Sequence, residues 1–132
     1  MKWLLKSEPG TYSFSDLVRE GRTCWDGVSN PVALSHLRAM QKGDEALFYH
    51  TGAEKAIVGV ARIASDPYRD PKLDDPKRVV VDLAPVRPLG RPVPLSAVKA
   101  DPRFRNLGLV RIGRLSVMPV SPEEWKALLA LG

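Results

Sequence analysis

Glu45-Ala-Leu-Phe-Tyr-His50 (EALFYH) and Ala56-Ile-Val-Gly-Val-Ala-Arg-Ile-Ala64 (AIVGVARIA) are the two stretches on which the fold turns. The first reads as a strand. The second has the length and β-rich composition of a buried strand, and the Thr51-Gly52 turn signal between them predicts an antiparallel hairpin. Upstream, Lys2 to Lys6 predicts a strand around Trp3-Leu4-Leu5, stopped by Glu8-Pro9-Gly10. Ser13-Phe-Ser-Asp16 carries N-cap chemistry, and Phe14, Leu17 and Val18 lie at i, i+3 and i+4, which predicts a short amphipathic helix ending near Gly21. Asn30-Pro31 predicts a cap with proline in the first turn, opening a helix that shows Ala33, Leu34, Leu37 and Met40 on one face and ends at Gly43-Asp44.

Downstream, Asp66 to Lys77 (DPYRDPKLDDPK) reads as a polar, proline-punctuated loop and Arg78 to Val86 as a strand. Leu95 to Lys99 predicts a short helix, Leu115 to Val120 a last strand, and Ser121-Pro-Glu-Glu124 the start of a helix pinned to the core by Trp125, Leu128, Leu129 and Leu131. About five strands with helices inserted early and late imply an α+β domain built on a mostly antiparallel, partly closed barrel.

The 132 residues fit one domain spanning 1–132, and 44% hydrophobic with 27% charged residues is a globular composition. No stretch approaches the roughly twenty apolar residues of a membrane span, and the N-terminal apolar run is too short for a signal peptide. A soluble, cytoplasmic protein that makes no use of a membrane is the expectation. The single cysteine, Cys24, excludes an internal disulfide. Net charge is +5 and unevenly placed: Arg87, Arg91, Lys99, Arg103, Arg105, Arg111 and Arg114 face one acid, Asp101, so Val86–Arg114 is +6 and the remainder −1. Such a segment is either the footprint of a polyanion or a solvated basic face.

Other chemistry is thin. His36, His50 and Cys24 are too few for a metal site, and no Gly-rich phosphate loop is present, so neither metal nor cofactor is expected. Asp44-Glu45 and Asp74-Asp75 are sequence neighbours that point apart, which leaves no catalytic carboxylate pair. Cys24 lacks an evident general base and reads as an inert thiol. Trp25-Asp-Gly-Val-Ser-Asn-Pro31 (WDGVSNP) carries two turn signals and begins with a tryptophan that is either a plug for the core or a flat face for a ligand.

Four stretches, in order, carry a resemblance: Lys6-Ser-Glu-Pro9 (KSEP), Trp25-Asp-Gly-Val-Ser-Asn30 (WDGVSN), Phe48-Tyr-His50 (FYH) before Thr51, and Arg114-Leu-Ser-Val117 (RLSV) leading to Met118-Pro-Val-Ser121. Together they resemble the EVE domain family of the PUA-like superfamily over nearly the whole chain. The sequence departs from the family's pattern at Thr51, commonly Ser, and at Ser29, commonly basic. The resemblance implies a PUA-like, mostly antiparallel β-barrel with short flanking helices and a cleft for a nucleobase. The related YTH and SRA-like domains read modified bases in RNA and DNA. It implies a non-catalytic, monomeric module that captures a modified base, modified cytosine or similar, within DNA or RNA. An extruded base loses a few kcal/mol of stacking, which one aromatic face, contributing about 1–3 kcal/mol, and two or three hydrogen bonds would offset.

On that implication Trp25 is the stacking platform, against a core role beneath the second helix. Asn30 offers a donor and an acceptor to a base edge, against helix capping. Ser7 and Glu8 add hydrogen bonds, against a turn cap and a surface charge. Tyr49 and His50 alternate along a strand, so one of them faces the cleft, and His50 is favoured. Tyr68 is a second aromatic wall or an ordinary exposed tyrosine. Arg114 and Ser116, read on one face of the last strand, bring a charge and a hydroxyl, unless Arg114 pairs with Glu8 or Asp26. Arg87, Arg91, Arg103 and Arg105 are expected on the nucleic-acid backbone. Two rivals use the same features: a nucleotide- or nucleic-acid-processing enzyme of the ASCH type, and a protein-interaction domain with an acidic partner.

Overall fold

The opening strand, β1 (Lys2–Ser7), lies between two others, and its Trp3, Leu4 and Leu5 are buried. On one side it pairs in parallel with β3 (Glu45–His50), from Lys2 opposite Glu45 to Ser7 opposite His50; on the other it pairs antiparallel with β7 (Val117–Val120). The computed structural model describes residues 1–132, and the remaining strands are β2 (Thr23–Trp25), β4 (Ala56–Ile63), β5 (Tyr68–Arg69) and β6 (Val79–Pro94). They form one curled, seven-stranded mixed sheet in the order β2-β6-β4-β3-β1-β7, with β5 on β6. The β1–β3 pairing is the parallel one; every other pairing is antiparallel, and the curl makes a half-barrel.

Five helices flank it: α1 (Phe14–Glu20), α2 (Pro31–Ala39), α3 (Leu95–Ala100), α4 (Gly108–Arg111) and α5 (Pro122–Leu131). The expected caps form. Ser13 with Asp16 and Ser121 with Glu124 close capping boxes at α1 and α5, and Gly21 ends α1 at φ 78°.

Four expectations need correction. Helix α2 stops at Ala39, because Met40 turns to an extended conformation while staying buried. Strand β6 continues far past Val86 through a proline-rich run that reads as a breaker. Its pairing with β4 slips between Ile57 and Gly59 and between Val60 and Ala61, with Pro88 opposite Gly59 and Pro85 opposite Ala61, so residues without an N–H sit at an interrupted ladder. Arg114 and Ser116 precede β7 rather than alternating along it. Trp25 is no loop residue: it ends β2, opposite Val81. A 3-10 turn at Pro102–Phe104 and helix α4 arise where the sequence shows only breakers, the former capped by Asp101.

Helix α1 approaches the sheet through one gap. A Cβ built on Gly59 would lie 2.5 Å from Phe14 Cζ, and the Phe14 ring meets Phe48 edge-on at 5.4 Å. Gly59→Ala should therefore destabilise the fold by about 1–3 kcal/mol through overpacking, measured by chemical denaturation. An unchanged midpoint would mean that Phe14 swings aside freely.

Candidate functional site

The ends of β1 and β2 open side by side onto a cleft of about 650 Å³. That is within the roughly 300–1,000 Å³ typical of a small-molecule site. Strand β1 contributes Lys6 and Ser7 and runs into Glu8; β2 contributes Cys24 and Trp25; Asn30 and Ser116 complete the rim. The far wall, the chain after Trp25, is held by two basic side chains. Arg78 Nε donates to the Val28 carbonyl at 2.9 Å, and Lys72 reaches Asp26 at 3.7 Å.

Trp25 belongs first to the core. It is 9% exposed, and its ring meets Phe48 at 5.6 Å and Tyr12 at 6.3 Å, both edge-on. What remains of its surface, with half-buried Tyr12, is the aromatic part of the cleft. Asn30 divides its amide between two tasks. Its Oδ1 accepts from Val32 N at 2.9 Å and Ala33 N at 3.1 Å, capping α2, and its Nδ2 has no partner in the chain. Glu8 is exposed, with its carboxylate against Gly10 and Gly52 and free of ion pairs. Ser7 Oγ donates to the Tyr12 carbonyl at 2.5 Å, which leaves its lone pairs. The Ser116 carbonyl accepts from Lys6 N at 2.9 Å. Burial lowers the pKa of the Lys6 amine and raises that of the Tyr12 hydroxyl.

Ser7, Glu8, Trp25, Asn30 and Ser116 thus line one cleft, whereas four other candidates lie outside it. His50, favoured for the cleft, is turned away: its Nε2 accepts from Phe14 N at 3.0 Å and its Nδ1 lies 2.8 Å from Glu54 Oε1. Tyr49, 3% exposed, lines a separate, smaller cavity. Tyr68 stands behind Cys24, its hydroxyl donating to Asp82 Oδ1 at 2.6 Å and lying 3.5 Å from Cys24 Sγ. The Asp82 carboxylate pushes the Tyr68 pKa well up, while that hydroxyl and the Arg22 guanidinium hold Asp82 below the usual carboxylate range. Arg114 is exposed in the turn before β7, paired with neither Glu8 nor Asp26.

The four arginines expected on a phosphate backbone lie outside the cleft as well. Arg91 Nε donates to the Leu131 carbonyl at 3.2 Å, Arg103 is neutralised by Asp101 at 2.7 Å, and Arg87 and Arg105 are exposed on β6 and after the 3-10 turn. The cations at the cleft are instead Lys6 and Lys72. Sequence reasoning missed both, together with Tyr12 and Asp26. Lys6 and Asp26 stand inside the KSEP and WDGVSN stretches and Tyr12 three residues past the first of these, so position alone marks them; nothing local marks Lys72. No three His, Cys, Asp or Glu side chains converge as a metal site.

Comparison with known proteins identifies the family and the fold. The EVE domain profile matches residues 1–131. A Rhodopseudomonas palustris protein solved by NMR is 44% identical over 99% of this chain and 92% of its own, with a TM-score of 0.94. Human thymocyte nuclear protein 1 is 34% identical over 98% of this chain and 72% of its own. Its crystal structure in complex with DNA containing 5-methylcytosine superposes with a TM-score of 0.89 over 98% of this chain and 96% of that one. An ASCH protein of Zymomonas mobilis, 13% identical with a TM-score of 0.60 over 98% of this chain and 97% of its own, shares the fold alone.

Because Trp25 is wedged between Phe48 and Tyr12, Trp25→Ala should cost about 3–5 kcal/mol of stability and Trp25→Phe much less, read as shifts in the denaturation midpoint. A stable Trp25→Ala protein would place the indole outside the core.

Proposed function

Since the chain belongs to the EVE domain family, we propose that it is a non-catalytic module that captures a modified cytosine of DNA in the cleft between β1 and β2. The observation that carries the reading is the pair of polar groups left free at the rim, the Asn30 amide Nδ2 and the Glu8 carboxylate. Cytosine presents an amino donor at N4 and acceptors at N3 and O2. A carboxylate accepts from N4, and an amide N–H donates to the ring acceptors. Thymine, with O4 and N3–H, reverses the two upper groups and would leave a carboxylate facing an oxygen. The human relative's complex with 5-methylcytosine DNA supports this choice of base and of DNA.

Energetically, the reading asks for little. Extrusion costs a few kcal/mol, and an aromatic contact of about 1–3 kcal/mol at the Tyr12–Trp25 wall with two hydrogen bonds offsets it. A reader also fits the cleft's one thiol better than a cysteine-dependent enzyme does. Cys24 Sγ has a phenol beside it, Tyr68, whose proton is held by Asp82, and neither provides a base to form the thiolate.

Fluorescence titration with oligonucleotides that carry 5-methylcytosine, cytosine or thymine at one position tests the proposal, with RNA of the same sequence as a further arm. The wild-type protein should prefer 5-methylcytosine. Glu8→Ala, at an exposed position, should fold normally and lose about 1–3 kcal/mol of discrimination against thymine. Asn30→Ala should lose selectivity and, as a cap, about 1 kcal/mol of stability. Equal affinity for all three oligonucleotides, or multiple-turnover product from any of them, would overturn the reading.

A further inference from the structure

Beside the base cleft lies the smaller cavity, about 210 Å³, between the β3–β4 turn and helices α3 and α4. Lys6, Lys55 and Lys99 line it, and no acidic residue does. It is too small for a nucleoside, given the roughly 300–1,000 Å³ of small-molecule sites, but adequate for a tetrahedral anion.

Two further observations mark it as built for a ligand. Tyr49, 3% exposed, forms part of its wall and has no hydrogen-bond partner for its hydroxyl, although no fully buried side-chain polar atom in the chain goes unpaired; that hydroxyl therefore keeps accessible surface, on a residue that lines the cavity. Lys55 is the one non-glycine residue with positive φ, at 46°, a conformation that costs a lysine about 1–2 kcal/mol and that the surroundings impose: its carbonyl accepts from Leu95 N at 2.8 Å. Lys6 joins the two cavities. It lines both, with its amine held by the Gly113 carbonyl at 2.8 Å and lying 5.8 Å above the Tyr49 ring.

We propose that this cavity binds a backbone phosphate flanking the extruded nucleotide, with Lys6, Lys55 and Lys99 as cations and the Tyr49 hydroxyl as donor. The inference deepens the base-reading proposal and rests on it. An extruded nucleotide carries a phosphate on each side of its sugar, so a cationic cavity sharing a wall with the base cleft lies where one of them falls. Of the nearby carboxylates, Glu54 is engaged with His50 Nδ1 at 2.8 Å, and Glu8, whose Oε1 lies 3.2 Å from where a Gly52 Cβ would stand, lines the base cleft. The sequence's arginine cluster then serves other ends, since Arg91 and Arg103 are engaged within the fold.

The test compares wild type with Lys55→Gly, Lys99→Gln and Tyr49→Phe. Glycine is at ease at positive φ, so Lys55→Gly should hold or raise the melting temperature while removing a charge. Titrations of 5-methylcytosine duplex DNA over a salt series should give a slope shallower by about 0.9 for each lysine lost, and no change for Arg87→Gln or Arg105→Gln. With small probes, 5-methyl-2′-deoxycytidine monophosphate should bind wild type about tenfold more tightly than the nucleoside, and Tyr49→Phe and the lysine variants should narrow that gap without altering nucleoside affinity. Unchanged slopes in the lysine variants, or a loss of slope in the arginine ones, overturns the phosphate site. Lysine-dependent slopes with no preference for the modified base instead overturn the base reading and leave the phosphate site standing. No DNA binding by the wild type overturns both.

Discussion

The geometry of both cavities depends on where helix α1 begins, and one buried hydrogen bond fixes that point: Phe14 N donates to His50 Nε2 at 3.0 Å. An imidazole nitrogen that accepts carries no proton, so the ring's proton is on Nδ1 and is donated to Glu54 Oε1, 2.8 Å away. A single side chain, 8% exposed, thereby joins the first turn of α1, the end of β3 and the turn that follows it. The chain from Glu8 to Ser13 must close over what lies between. It does so with Tyr12 N bonded to the Glu8 carbonyl at 2.8 Å and Ser7 Oγ bonded to the Tyr12 carbonyl. Tyr12 is set against Trp25 on one side of this closure, and Lys55 is set above the lysine cavity on the other.

This accounts for what the sequence discloses and what it hides. Alternation along β3 puts Tyr49 and His50 on opposite faces, as read, but the face that matters is chosen by the partner of a backbone N–H in another element, which no local pattern shows. His50 therefore reads as a ligand group and proves to be a structural acceptor, while Tyr49 turns to the second cavity. The caps at Ser13, Asn30 and Ser121 are legible because capping is settled within four residues. Strand β6 is not, because its prolines break every local rule for a strand and are tolerated only through the register slips against β4. The arginine cluster is dispersed for a related reason: residues close in sequence along an extended strand and the helices after it are carried apart, whereas Lys6, Lys55 and Lys99 line one cavity.

The cleft is made from groups that the fold already employs. Asn30 caps α2 with its oxygen and keeps a donor for the cleft, a division closed to aspartate, which caps as well but has no donor. Trp25 fills the core with most of its surface and lends the rest to the wall. Sharing of this kind keeps the site rigid without further ordering, since the side chains are immobilised by folding and lose little freedom when a ligand arrives. It also ties recognition to stability, so that substitution at Trp25 perturbs both.

Charge completes the division of labour. A net charge of +5 suits a polyanion, yet the rim of the base cleft carries the carboxylates of Glu8 and Asp26, an arrangement that repels phosphate. The contradiction resolves once the two cavities are taken as a pair. Carboxylates near a phosphodiester cost affinity, but facing the amino group of a base they confer selectivity, and specificity of that sort works by penalising the wrong partner. On the proposed reading, lysines in the neighbouring cavity restore the attraction that the carboxylates remove. Lys6, half-buried, lines both cavities: its burial lowers the amine's pKa, and a phosphate bound beside it, as proposed, would favour the charged form again.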